Sequence, residues 1–394
     1  MRSRAILLLW LATAVCSSAF AKEKAPPLEG QKRILVLPLA FGCFKAGFGT
    51  FEPMPERTGE AVENLNASLG RALRREKRLE FLPMPELSAA ETATITEHVA
   101  LLRQATASAL TDLQLFRVPW SDRQRGRMEY SIGNGLAFLG ERTGTEFAVL
   151  FSGGRAVPSA GRVIASVGVM AMGYLPMGND KAIMASVVEL KTGDVVSVFL
   201  EDRELESEPY YVVGANTWMH ALFESFPDDP RNQAPRKSAP ANKPIKRYES
   251  SFGFSFLPPR GWHVAGGIGA ASASRHSSGL EFIRFDRGPL KGIESSDPVE
   301  IGRGVAERVR KSGLLANLEI AGIEPAKVSD RAGFRIELRS TRDFLGTPIR
   351  FRHRLYGVPS GDDVYLMEYA APVIHYFEAY LPQAEATLAT FKVR

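Results

Sequence analysis

Cysteine is almost absent from this chain. Of 394 residues only Cys16 and Cys43 carry a thiol, and Cys16 lies in a leading segment expected to be removed. A single remaining cysteine cannot form an internal disulfide. The fold must therefore be held by its core, even in an oxidising compartment. Cys43 reads as a small buried residue at the end of a strand. Catalytic signatures are missing too: there is no G-x-S-x-G, no H-E-x-x-H, no Walker loop and no cysteine pair. The six histidines, His98, His220, His263, His276, His353 and His375, are scattered. His375 and Glu378 stand three apart on an expected helix, which is half a metal site, and surface pairing is the plainer reading. Gly266-Gly267-Ile268-Gly269 precedes no helix signal, so it reads as a flexible loop rather than a phosphate cradle. No cofactor and no metal are expected, and the chain does not read as an enzyme.

What is present first is an export signal. Arg2 and Arg4 precede the apolar run Ala5 to Ala12, and Ala19-Phe20-Ala21 is an A-x-A cleavage site before Lys22. The uncharged run from Ala5 to Ala21 is short of the ~20 residues of a membrane span. Val15 before Cys16 disfavours lipid attachment. The expectation is cleavage after residue 21, a periplasmic location without a lipid anchor, and no transmembrane segment in the mature chain. Loss of Arg2 and Arg4 takes Lys+Arg from 49 to 47 against 44 Asp+Glu, a net charge of +3. That mild excess, with export, argues against a nucleic-acid partner.

Hydrophobic residues make up 45% of the chain, enough for a sizeable core. The stretch from Glu146 to Leu200 organises the first half. Phe147 to Phe151 is a strand that stops at Ser152-Gly153-Gly154, and Arg162 to Leu175 is a second apolar run. Ala185–Leu190 and Val195–Leu200 flank a Gly193 turn as a hairpin. Ahead of it, Ile34 to Leu39 reads as a strand buried on both faces. Residues 42–57 read as a loop, and Thr58 to Arg78 as a helix with Val62, Leu65, Leu69 and Leu73 inward. Leu79 to Pro83 is a strand, 86–110 a helix, and Tyr130 to Thr143 a helix carrying Ile132, Leu136 and Leu139. Tyr210 to Phe226 is a helix burying Val213, Trp218, Leu222 and Phe226.

Residues 227–247 hold five prolines among polar residues and read as a linker between independently folded halves. Beyond it, strands are expected at Phe252–Phe256, Leu280–Phe285, around Phe334–Leu338, at Ile349–Tyr356 and at Val364–Ala370. Helices are expected at Pro298–Ser312, stopped by Gly313, and at Pro372–Phe391, burying Val373, Phe377, Leu381 and Leu388. The expected fold class is α/β for the first half, a mixed sheet with flanking helices. For the second it is α+β, an antiparallel sheet with helices on one face.

Four stretches carry a resemblance in the first half: Arg33-Ile34-Leu35-Val36-Leu37-Pro38, the helix with Leu69 and Leu73, Thr143 to Leu150, and Val188 to Val196. Over residues 32–226 they resemble the envelope group that includes the curli-secretion lipoprotein, the penicillin-binding-protein activator LpoB and the N-terminal domain of TolB. In the second half Phe252 to Pro258, Gly261-Trp262, Val364 to Ala370 and Tyr376-Phe377 are similar to PsbP-like domains over residues 248–394. These resemblances imply adaptor and protein-binding modules without a catalytic site.

Two surfaces could bind. The small residues of Val163 to Leu175 would let another backbone approach, with ordinary core packing the plainer reading. Arg350, Arg352 and Arg354 project from one face of a strand, with Arg335 and Arg339 beside them, and a solvated face balanced by Glu337 is the plainer reading. The expected function is a non-catalytic periplasmic accessory or adaptor protein that binds another envelope protein. Two alternatives stand beside it. One is an envelope hydrolase or transferase built from loops 42–57 and 153–161. The other is a carrier of a small anionic ligand using the arginines.

Overall fold

The computed structural model describes residues 32–46, 51–77, 79–114, 129–158, 181–201, 208–224, 245–266, 270–276, 280–293, 295–328, 330–344 and 347–393. The export segment, the run Val163 to Leu175 and most of 227–247 lie outside them. The described residues up to Thr111 and from Glu129 to Glu224 form one compact unit, and those from Ile245 to Val393 a second.

The first unit is a mixed sheet between helices. Its strands are β1 (Lys32–Val36), β2 (Ala40–Ala46), β3 (Phe51–Pro53), β4 (Leu79–Leu82), β5 (Phe147–Pro158), β6 (Lys181–Glu189) and β7 (Val195–Glu201). β1 lies parallel between β4 and β5, and Ile34 and Leu35 are fully buried, as a continuous apolar run requires. β5 is the spine: β1 and then β2 run parallel along one edge, and β6 pairs antiparallel along the other. The β6–β7 hairpin turns at Gly193, whose φ is 77°. A side chain there would strike the Gly133 backbone.

Helix α1 (Pro55–Arg75) lays Leu65 and Leu69 on the sheet face formed by Ile34, Phe147, Val149, Phe151 and Val187. Helix α2 (Ala89–Gln114) packs on the opposite face, where Thr106 Oγ1 and Ser186 Oγ are 2.6 Å apart. After α3 (Ala137–Thr143), helix α4 (Val212–Glu224) lies beside α1 and buries Trp218 and Leu222 against the same core.

Four expectations are corrected here. The described residues of 42–57 are not a loop: 42–46 belong to β2, 51–53 form β3 and 55–57 open α1, and Cys43 sits mid-strand. The first strand of the central group does not stop at Gly153-Gly154. It continues because glycine lets β2 and β6 close on it; a Cβ at Gly153 would lie 2.5 Å from the Ala182 carbonyl oxygen. Tyr130 and Ile132 are not helical; their backbones bond to Val195 and Gly193 at the hairpin turn. Val213 is exposed, not core, because it precedes the inward-facing turn that carries Ala215 and Trp218.

The second unit is a seven-stranded antiparallel sheet in the order β10-β11-β12-β16-β15-β14-β13. Its members are β10 (His263–Gly266), β11 (Ala270–Ser274), β12 (Phe282–Pro289), β13 (Ala316–Val328), β14 (Arg331–Phe344), β15 (Thr347–Ser360) and β16 (Asp363–Pro372). Strands β8 (Tyr248–Glu249), β9 (Phe254–Phe256) and β17 (Lys392–Val393) make a small separate sheet. Helix α5 (Pro298–Ser312) starts at Asp297, whose side chain accepts from Val299 N, and stops at left-handed Gly313.

The fold class is the one expected, with one difference in detail. The two helices lie on opposite faces of the sheet rather than on one. α5 covers Phe334, Ile336, Leu338 and Leu355. The alternate residues Arg352, Arg354 and Tyr369 meet helix α6 (Tyr376–Ala389). α6 begins four residues later than expected, leaving Val373 exposed ahead of it.

Candidate functional site

The arginine face is where alternation places it, and it is laced with carboxylates. Arg354 Nε donates to Glu337 Oε1 at 2.5 Å and Arg354 Nη1 to Glu385 Oε1 at 2.6 Å. Arg352 reaches Glu337 Oε2 at 3.2 Å and Glu378 Oε1 at 2.9 Å, and its guanidinium lies 4.5 Å from the centre of the Phe377 ring. Arg335 pairs with Glu324 and Arg339 with Glu319 across β13 and β14. Arg350 is exposed near the end of the row. Glu337 therefore sits between two strand arginines, and α6 supplies two more acids over them. His375 and Glu378 assemble no metal site; among the described residues no group of three metal-ligating side chains occurs.

The region proposed for loop-built chemistry holds a different arrangement. Arg155, near the end of β5, binds the Glu208 carboxylate through two bonds of 2.7 and 2.8 Å. Cys43 stands opposite it on β2, and its backbone N–H donates to Thr58 Oγ1. Burial pushes the Cys43 thiol up to about 11, so it carries almost no thiolate at neutral pH. Arg155 and Glu208 form a clamp near the sheet end.

One constellation escaped sequence reading. Ser340 Oγ is 2.8 Å from His353 Nε2, and His353 Nδ1 is 2.8 Å from Glu368 Oε1. The three lie on β14, β15 and β16, at separations of 13 and 15 residues, and only strand register brings them together. The order serine–imidazole–carboxylate is that of an acyl-transfer triad. Its exposure is reversed: Ser340 is buried, while the Glu368 side chain is 20% exposed. A nucleophile needs the serine open to substrate. Ser340 is therefore expected to stay unlabelled by a fluorophosphonate probe. Labelling at Ser340 that His353→Gln abolishes would restore the hydrolase reading.

No family model matches this chain, and no curated protein matches it. Among solved structures it is similar to cyanobacterial PsbP (CyanoP) of Synechocystis sp. PCC 6803, at 13% identity, 38% of this chain, 92% of that one and a TM-score of 0.30. It is also similar to the Ran-binding protein Mog1p of Saccharomyces cerevisiae, at 11%, 38%, 96% and 0.28. A third is LpqN, involved in cell envelope biogenesis of Mycobacterium tuberculosis, at 11%, 39%, 80% and 0.22. The PsbP-like resemblance thus has a weak structural counterpart. The LpoB and TolB resemblance has no family match behind it. Likeness this slight carries no functional argument.

At the start of α4 the first unit exposes three large apolar side chains that are consecutive in sequence. Tyr211, Val212 and Val213 are 62%, 55% and 70% exposed. Tyr210 packs edge-on against Tyr211, and Arg57 from the first turn of α1 lies 4.3 Å from the Tyr210 ring centre. Asn64 Nδ2 donates to the Tyr210 carbonyl and fixes the backbone at this corner. No helix among the described residues is long and apolar enough to cross a membrane.

Proposed function

We propose that this chain is a non-catalytic accessory protein of the cell envelope, exported to the periplasm, that binds another envelope protein through the start of α4. The observation that carries the reading is the run Tyr211-Val212-Val213, exposed as three consecutive large side chains. Isolated exposed apolar residues are ordinary, whereas a run of three beside Tyr210 and Arg57 sets exposed apolar side chains next to the tyrosine and arginine that interface centres favour. Tyr210 and Arg57 supply that neighbourhood. The export signal expected at residues 1–21 supports a periplasmic setting. A carrier of small anions is less well supported, because the arginine face already meets Glu319, Glu324, Glu337, Glu378 and Glu385.

A photo-crosslinking amino acid placed at position 211 or 213 in cells tests the reading. A discrete adduct is expected from these positions and none from position 191, on the hairpin turn. Tyr211→Ser/Val213→Ser should weaken the partner complex by at least about 30-fold, since truncated interface anchors cost ~2 kcal/mol or more. Stability should stay within about 0.5 kcal/mol per site, as both are surface positions. Adducts spread equally over positions 191, 211 and 213, or full binding by the double variant, would remove this surface from the function.

A further inference from the structure

We propose that a second copy of this chain covers the start of α4, through antiparallel pairing of α1 with α1 about a two-fold axis. The inference rests on the reading that the α4 start binds a partner, and it names what occupies that surface beforehand. Charge is ordered along α1. Its first half carries Glu56, Glu60 and Glu63 with one arginine, Arg57, and its second half carries Arg71, Arg74 and Arg75 with no acid. None of them forms an ion pair with another described residue. Arg57 lies over the Tyr210 ring, and Arg71 donates to Ser68 Oγ and Asn216 Oδ1, both neutral. The helix dipole favours Glu56 in the first turn and Arg74 and Arg75 in the last. It fades within a turn and leaves Glu60, Glu63 and Arg71 unexplained.

Glu60, Asn64, Ala67 and Arg71 recur at spacings of four, three and four, which sets them on one face of the helix. Glu60 and Ala67 are exposed, and Asn64 and Arg71 half-buried. Glu60 and Arg71 stand about 16 Å apart along the axis, too far to pair within one helix. A second α1 laid antiparallel, Asn64 against Ala67, sets Glu60 of each copy on Arg71 of the other, and Glu56 on the side of Arg74. The like-charged pair in this register is Arg57 with Arg75, on the α4 side, where Arg57 is drawn over the Tyr210 ring. Asn64 bonds the Tyr210 carbonyl, while Ser68 and Arg71 bond Asn216. Residues 211–213 therefore stand beside the stretch of α1 that the two-fold axis crosses. Burial of Tyr211, Val212 and Val213 there supplies the attraction that surface ion pairs alone do not.

Sedimentation equilibrium of the processed full chain tests this. A dimer is expected, and a photo-crosslinker at position 213 should join two copies of the purified chain. Glu60→Arg should weaken the dimer at least about 30-fold, since two-fold symmetry repeats the like-charge contact. Arg71→Glu should do the same, and mixing these two variants should restore a dimer with one copy of each. Ala67→Arg, at an exposed small residue of the crossing, should also give a monomer without breaking a bond within the fold. Glu141→Arg, at an exposed position of α3, should leave the dimer intact, with melting temperatures confirming each fold. A monomer at about 100 µM would overturn the proposal, because specific interfaces hold in the micromolar range or tighter. So would a dimer indifferent to Glu60→Arg and Ala67→Arg, or no rescue on mixing folded variants. A monomeric purified chain that still gives an adduct with another envelope protein at 213 in cells would sink this inference and leave the proposed function standing. A dimer without that adduct would do the reverse.

Discussion

Replacing Glu281 by Leu is expected to destabilise the second unit by about 3–5 kcal/mol, the cost of leaving its three donors without an acceptor. Glu281 and His276 are both fully buried. Glu281 Oε1 accepts from the backbone N–H groups of Arg275 and His276, each at 2.9 Å, and Oε2 lies 2.7 Å from His276 Nδ1. One carboxylate thus serves three buried donors where the chain passes from β11 to β12. The His276 ring stands edge-on to Tyr376 and Tyr380 of α6. Leucine has a similar size but no acceptor, and each orphaned buried donor costs ~1–3 kcal/mol. For a unit of this size the melting temperature should drop by roughly 10 °C. Glu281→Gln keeps one carbonyl oxygen for the backbone donors and should cost less than half as much. Trp262, edge-on to Tyr380 and bonded to Gln383, gives a local fluorescence readout in urea titration. A loss below ~1 kcal/mol for the Leu variant would mean that these donors find other acceptors.

The history of this pair shows what the chain discloses before it folds. Periodic segments were legible: α5 was bounded by its Pro298 start and Gly313 stop, and the β6–β7 hairpin by its β-branched flanks around Gly193. The alternation of Phe334, Ile336 and Leu338 with Arg335, Glu337 and Arg339 fixed both faces of β14. What was hidden depends on pairing distant in sequence. Gly42 and Gly153-Gly154 look like breakers locally, yet they sit side by side in paired strands. Ser340, His353 and Glu368 form no motif because their spacing is set by two hairpins. Glu281 falls inside the expected strand Leu280–Phe285, whereas β12 begins at Phe282, and nothing near it in the chain marks it as buried. The exposed start of α4 departs from expectation for a related reason: Val213 fits a helical stripe, but the helix begins at Val212 and turns inward only at Ala215.

The arginine face separates structural charge from charge available to a partner. Glu337→Ala is expected to cost about 2 kcal/mol. That is less than a fully buried pair, because side-chain exposure of 12% for Arg354, 18% for Glu337 and 34% for Arg352 lets water screen part of the interaction. The loss arises because one carboxylate holds two guanidiniums from β15 while α6 presses on them through Glu378 and Glu385. Arg339→Gln, whose ion pair with Glu319 is about 60% exposed on both sides, should change stability by less than about 0.5 kcal/mol. It follows that simultaneous replacement of Arg350, Arg352 and Arg354 confounds folding with binding. Arg339→Gln with Arg350→Gln is the cleaner probe of an acidic partner: it should leave the melting temperature within about 2 °C. If the face recognises an acidic surface, this pair should abolish salt-sensitive binding while Glu337→Ala lowers stability first. Equal stability losses for Glu337→Ala and Arg339→Gln would show that Glu337 is no more than one exposed carboxylate among the others.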